Sequence, residues 1–368
     1  MKNMQTIKQK ISISPIRGFD VWISTFIDKS KYEIVHMSIH QKDIREKYAK
    51  KVYWEWCCPL KICVAMGEQV VVEKDVKKVF GLGIQTCHYP FVLGNVEKWI
   101  DKDFEYYPIE SPNLCMDSSM IYYFSKQLRK ALPEINLISF FIKTPLGLYR
   151  TYLSHKMYKI YLKNLPLTND SKKTKLIYEN YNKKLIEIDG YRKSTKIFDE
   201  FVKKCSDSRV RDKPKHKILL TGDFSLFIME FFLFEIDIFL AKNGIEIVQP
   251  FSPFSSMILV KYSAAMKKAK IMLKNTFSCK FNKIKTRDRF VVENITLAQI
   301  IKGLEEDVDG IIYIKPLMCT PCDNISYILK KENHFNLPFV EINYDEHSWI
   351  NGIMTRLEAF INIVNERK

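Results

Sequence analysis

The sequence predicts an α/β protein built as two lobes of parallel sheet flanking a cleft, with a helical insertion between them. Three observations carry that reading. Short apolar runs that end in glycine or proline recur in both halves of the chain. Segments with helical spacing separate them, the pattern of strand–helix–strand units. The stretch between the halves is rich in Lys, Tyr and Leu, with helical spacing and little strand signal.

The C-terminal half is the more regular. Lys217-Ile218-Leu219-Leu220-Thr221-Gly222 is a continuous apolar run closed by glycine, as expected of a parallel strand covered on both faces. A helix is expected over about 226–242, with Gly244 as its stop. Further strands are expected at 245–248, 309–314 and 339–343, and helices at about 324–331 and 349–364. The N-terminal third repeats the scheme, with strands near 75–80 and 104–109 and helices near 59–72 and 117–132. Both lobes are therefore read as Rossmann-like. Residues 1–145 form the N-terminal lobe, 146–212 the helical insertion and linker, and 213–368 the C-terminal lobe. Residues 1–50 yield no placed element.

Composition narrows the classes. A hydrophobic fraction of 46% and a charged fraction of 27% suit a globular protein with a buried core. Net charge is +16, which raises nucleic acid or an anionic membrane surface as partners. The excess lysines are scattered, however, and their densest run, 172–204, reads as the solvated face of helices. Zinc-finger spacing, an RNA-recognition strand pattern and a basic zipper are all missing from the sequence, so nucleic acid is not the expected partner. The longest apolar stretch, 224–240, is interrupted by Glu230, Glu235 and Asp237, so no membrane helix is expected.

Nine cysteines are an odd number, dispersed along a chain whose first ten residues carry Lys2, Lys8 and Lys10 with no apolar core behind them. A reducing, cytoplasmic location follows as the expectation, and there thiols bind metal or do redox work more often than they form disulfides. Three stand where α/β sheets place ligands. Cys57 precedes a helix in Trp56-Cys57-Cys58-Pro59-Leu60-Lys61. Cys87 follows a strand and the turn Gly81-Leu82-Gly83. Cys319 follows a strand in Pro316-Leu317-Met318-Cys319-Thr320-Pro321-Cys322. A thiolate at a helix start is favoured by the free backbone amides. There is one Cys-x-x-C pair, Cys319 and Cys322, with no second pair to complete a zinc ribbon. Spacing alone leaves metal ligation, buried structural thiols and redox-active thiols all open.

These segments together resemble the 2-hydroxyacyl-CoA dehydratase family, in particular its short branch of CoA protein activases and activase-related proteins. Cys57 to Lys61 matches that branch's Cys-x-Pro-Leu-Lys motif. Gly81 to His88 matches its glycine-rich turn before Cys-Arg, with His88 in place of the arginine. Gly222-Asp223 stands for a Gly-Glu strand end, Leu240 to Gly244 for a degraded Leu-Glu-x-x-Gly, and Pro316 to Pro321 for a Pro-x-x-Cys-x-Pro loop. The ending Asp345-Glu346-His347, followed by Thr355-Arg356-Leu357-Glu358-Ala359-Phe360, is the fullest match. The likeness covers roughly residues 50–110 and 215–368.

The resemblance implies a four-iron four-sulfur (4Fe-4S) cluster held by Cys57, Cys87 and Cys319, with Cys58 and Cys322 as spare thiols. It implies low-potential electron transfer or radical-type dehydration or reduction, an acyl-CoA substrate, a homo- or heterodimer, and an actin-like ATPase as activator. The chain itself has no phosphate-binding loop, so that ATPase is expected to be a separate protein. Two alternatives stand beside this reading: a cluster-free scaffold or assembly protein of the same fold, and a basic nucleic-acid-binding protein. No catalytic residue is assigned. Asp345, Glu346 and His347 are read as a strand end capping the last helix, and Arg356 and Glu358 as an interface pair. After Cys319, Pro321 is expected to hold Thr320 extended, with the helix beginning beyond it and Cys322 packed in its first turn.

Overall fold

The structure, a computed structural model, describes residues 8–14, 17–37, 58–84, 100, 102–111, 118–223, 235–249, 264–277, 291–331, 336–345 and 350–367. They form an α/β fold with two four-stranded sheets, both wholly parallel. The chain divides into two compact units, 1–151 and 152–368.

In the first unit the strands are β1 (Gln9–Ile13), β2 (Tyr32–His36), β3 (Lys78–Ile84) and β4 (Glu105–Ser111), in the order β2-β1-β3-β4. The helices are α1 (Phe19–Ser24), α2 (Cys58–Lys74), α3 (Ser118–Ala131) and the start of α4 (Leu137–Asn164). β1, β2 and α1 lie in the region where the sequence yields no element. β1 is only five residues long, with just its last three buried, too short to show a period. The core beside it is aromatic. Trp22 stacks on Phe124 with centroids 4.2 Å apart, and Phe26 lies 5.2 Å from Phe140. Arg150 is fully buried and donates to the Thr25 hydroxyl at 2.6 Å, so its charge is solvated by hydroxyls in place of water. Residue 146, where the sequence starts its insertion, falls inside α4, which continues through Pro145.

The second unit opens with the helices expected of the insertion, α5 (Ser171–Glu187) and α6 (Tyr191–Asp207). Asp170 caps α5, its carboxylate accepting from the Lys173 amide at 2.9 Å. Tyr161, Tyr178 and Phe201 pack together here, and the Tyr161 hydroxyl donates at 2.7 Å to buried Asp237, which Lys175 also meets at 3.1 Å.

The sheet of this unit comprises β5 (His216–Gly222), β6 (Ile245–Val248), β7 (Gly310–Pro316) and β8 (Phe339–Tyr344), in the order β6-β5-β7-β8. All seven β7 residues are buried, as a strand covered on both faces requires. The accompanying helices are α7 (Ile236–Lys242), α8 (Ala264–Phe277), α9 (Val291–Leu304), α10 (Thr320–Lys331) and α11 (Ile350–Glu366). α8 and α9 are additions to the sequence reading, and residues 226–234 of the helix expected before Gly244 lie outside the described residues. α11 shows how a helix is fixed here: Ile353, Leu357, Phe360, Ile361 and Val364 are buried at helical spacing while the intervening positions face water.

The two sheets are wound identically. In each, the chain lays its second strand on one side of the first and its third on the other. The winding therefore reverses between the first and third strands, and doubly wound sheets bind ligands beyond the carboxyl ends of the strands at such a point. In the second unit the contact is tight. Gly222 sits at φ 137°, and a β-carbon there would lie 1.8 Å from the Ile314 carbonyl oxygen. Gly222→Ala should therefore cost about 2 kcal/mol or more, seen as a lowered denaturation midpoint. A midpoint unchanged from the parent would show that β5 can withdraw from β7 freely.

Candidate thiol site at the carboxyl edge of the second sheet

β7 delivers the chain into a turn. The Cys319 amide donates to the Pro316 carbonyl at 3.4 Å, and Met318, the third residue of that turn, is held at φ 61°. A left-handed conformation at a methionine stores about 1 kcal/mol or more of strain, and a turn this tight requires it. The chain then enters α10 with Cys319 as its N-cap, the carbonyl of which accepts from the Asp323 amide at 2.8 Å. The helix begins at Thr320, not beyond Pro321 as the sequence suggests. Proline is tolerated in a first turn because the amide it lacks would find no intrahelical partner there.

Residues three apart on a helix are neighbours, so Cys319 and Cys322 meet across this first turn. Cys322 is 1% exposed and its thiol hydrogen-bonds to the Cys319 sulfur, while Cys319 is only half-buried. That hydrogen bond, then burial, then the negative charge of Asp223, push the Cys322 thiol well above its ordinary pKa. Tyr313 braces the pair from β7. Its hydroxyl donates to the Cys322 carbonyl at 2.9 Å and also contacts the Cys322 thiol. Burial raises the tyrosine's pKa strongly as well, so it stays a neutral donor. Asp223, directly after β5, is 8% exposed and accepts from the Tyr344 hydroxyl of β8 at 3.2 Å.

β5, β7, β8 and α10 thus supply one cluster of two thiols, two phenols and a carboxylate. Of these, the sequence reading names Cys319, Cys322 and Asp223. It misses Tyr313 and Tyr344, although a tyrosine in an otherwise aliphatic buried strand is a signal, because its hydroxyl must find a partner.

On the far flank, Glu293 is buried in the first turn of α9 and accepts from the Asn324 amide at 3.3 Å, burial raising its pKa. Lys315 of β7 bridges Asp323 of α10 and Glu341 of β8, the latter at 2.9 Å. Lys330 reaches the same carboxylate at 2.7 Å, and Ser326 donates to it too. This lattice clamps α10 onto the sheet and so fixes where Cys319 and Cys322 sit.

The other expected ligands give less. Cys57 and Cys87 lie outside the described residues, as do Glu346 and His347. Cys58 and Lys61 are buried at the start of α2. Arg356 and Glu358 are exposed on α11. Cys58, Cys205, Cys319 and Cys322 are free thiols, none of them in a disulfide. Among the described residues no group of three or more His, Cys, Asp or Glu side chains is placed to hold a metal ion. Among them, too, no helix is long and apolar enough to cross a membrane. The lysines of 172–204 border a shallow groove of α5 and α6, in which Lys183, Lys184 and Lys204 stand with Glu187 and Tyr181.

One correspondence links the two sheets. β3 and β7 are each the third strand of their sheet and each seven residues long. Cys87 stands three positions after Ile84, the end of β3, and Cys319 three positions after Pro316, the end of β7. No protein-family model matches the chain, and no curated protein matches it.

The clamp has a measurable pH signature. Burial by itself would raise the Glu341 pKa. The hydrogen bonds from Lys330, Ser326 and Lys315 and the charge of Lys315 outweigh it and bring the carboxyl from 4.5 down to about 2. Its stabilisation is complete above the ordinary value and is lost as pH falls towards the depressed one. The parent protein should lose stability more steeply than Glu341→Gln between pH 4.5 and about 2. Parallel acid titration curves for the two would show that the clamp contributes nothing.

Proposed function

We propose that the chain is an iron–sulfur protein resembling components of the 2-hydroxyacyl-CoA dehydratases, with Cys57, Cys87 and Cys319 as ligands. The observation that carries this reading is the correspondence just described. Two identically wound sheets are each followed, at the same offset beyond the third strand, by a cysteine that the resemblance makes a ligand. The shared offset in sequence is what ligands set beyond the carboxyl ends of strands call for.

The donor set suits the group. Cys319 is half-buried, at the margin of solvent, while Tyr313 and Tyr344 close to it are fully buried. Thiolate is the soft donor that iron–sulfur clusters take. A cluster held by three cysteines supplies one-electron chemistry at low potential, with one iron site left for a further ligand. The chain's own part is to present the sulfurs and to limit water around them. The electron source is an actin-like ATPase with its own reductant, the substrate an acyl-CoA, and the setting a reducing cytoplasm. The positive surface charge suits docking of the partner or attraction of CoA phosphates. A homo- or heterodimer is in keeping with the resemblance.

The test is anaerobic purification followed by iron and sulfide analysis and visible absorption. The parent should hold several irons per chain with matching sulfide. Cys319→Ser should lose them, because a hydroxyl is a harder and far less acidic ligand, and Cys322→Ser should keep most. A colourless parent that takes up no iron and sulfide on anaerobic reconstitution would overturn the reading. Loss of iron in Cys322→Ser alone would move the ligand from one thiol to the other.

A further inference from the structure

We propose that Cys319 and Cys322 form a reversible dithiol–disulfide couple at the start of α10, reacting with low-molecular-weight disulfides of the glutathione class. This goes beyond iron binding and does not need it, since it uses a thiol outside the expected ligand set.

Four observations carry the proposal. The two cysteines stand three residues apart at the start of α10, a spacing that sets side chains next to one another across one helical turn, so closing the bond asks for a small movement of side chains. Their exposures differ as an attacking and a resolving thiol require: Cys319 is reachable from solvent and Cys322 is 1% exposed beneath it. The backbone around them is fixed from three sides. The φ 61° residue Met318 sets the turn, the Tyr313 hydroxyl holds the Cys322 carbonyl, and the Lys315 lattice pins α10 to β7 and β8. Lastly, Met318 and Leu317 are 86% and 49% exposed, so the approach to Cys319 is open at the tip of the turn.

Cys205 shows the contrast. It is buried in α6, its thiol pushed up to about 12 by burial, and it is not in a disulfide. It should be inert towards disulfides under the same conditions.

The exchange balances in two steps. The Cys319 sulfur attacks one sulfur of glutathione disulfide, the bond between the two glutathiones breaks, and one leaves as a thiol with the proton Cys319 gave up. The Cys322 sulfur then attacks the Cys319 sulfur, the mixed disulfide breaks, and the second glutathione leaves with the Cys322 proton. Two electrons pass from the protein pair to the glutathione pair. Excess reduced glutathione runs the sequence backwards. Because the disulfide consumes the Cys319 thiolate, it and cluster ligation exclude one another.

The test uses the full-length chain, equilibrated anaerobically in glutathione buffers of graded ratio. Remaining thiols are then blocked with a maleimide and the peptides identified by mass. A Cys319–Cys322 disulfide should form as oxidised glutathione rises and vanish when the ratio is restored. Cys322→Ser should trap one glutathione on Cys319, whereas Cys319→Ser should take up none at Cys322. Protection of Cys205 from maleimide in the undenatured variants certifies their fold. Two free thiols throughout the titration, a bond from either residue to another cysteine, or a bond that reduced glutathione cannot open would overturn the proposal. Iron analysis of the same preparations separates the two readings. Where iron is found, the titration is repeated after a chelator has removed it: a couple in a parent that never held iron retires only the cluster, and two free thiols in the iron-stripped protein retire only the dithiol.

Discussion

At the end of β5 the Ile314 carbonyl oxygen occupies the space where a side chain at position 222 would stand. Glycine is the one residue that lets the first and third strands of the second sheet close to this distance, and it does so at a φ that L side chains rarely adopt. The edge of the site inherits its geometry from this approach. Asp223 leaves β5 with its amide on the same Ile314 carbonyl and its carboxylate on the Tyr344 hydroxyl. Tyr313, next to Ile314, points its hydroxyl the other way, at Cys322. One backbone contact thus sets the spacing between a carboxylate on one strand and two thiols beyond the next.

Polar groups in this edge are expensive to bury, and those of the thiol cluster and its clamp have partners. The phenols of Tyr313 and Tyr344 donate, the Asp223 carboxylate accepts, and the Lys315 ammonium lies between two carboxylates. Replacing any of them by an apolar group would strand its partner, which makes the cluster a unit and not a set of independent contacts. The same matching explains why the edge can hold an accessible sulfur in place on a short loop.

How much of this the sequence shows depends on the burial of each element. β5 and β7 are legible because central parallel strands are covered on both faces, and their apolar runs admit no other reading over that length. β6 is legible through Gly244 alone, which must stop a helix at positive φ before only four strand residues. β1 and β2 are not, since each has five residues and partial burial, and the aromatic core against them is assembled from positions as distant as Trp22 and Phe140. At the site, the Cys-x-x-C spacing and the strand before it are visible in the residues. The burial of one thiol beneath the other, and the tyrosines that brace them, depend on pairing of β7 with strands far away in the chain. Pro321 misleads locally: the preference it imposes on Thr320 loses to a helix start that the sheet and Lys315 lattice hold in place.

The register of the second sheet also orders its assembly. β7 pairs with β8 across 28 residues, from Ile311 to Phe339, and with β5 across 92, from Ile218 to Gly310. By loop-closure entropy alone the shorter connection is favoured by about 1 kcal/mol, and α10 sits inside it to bridge the gap. The unit of β7, α10 and β8, carrying Cys319, Cys322, Tyr313 and Tyr344, is therefore cheaper to close than the pairing with β5, and a chain that closes it first brings the two thiols together before β5 is in place. Gly222 and Asp223 join only when β5 arrives. During that interval the two sulfurs are already neighbours while the wall meant to shelter one of them is missing, so the chain is most open to oxidation before it is finished folding.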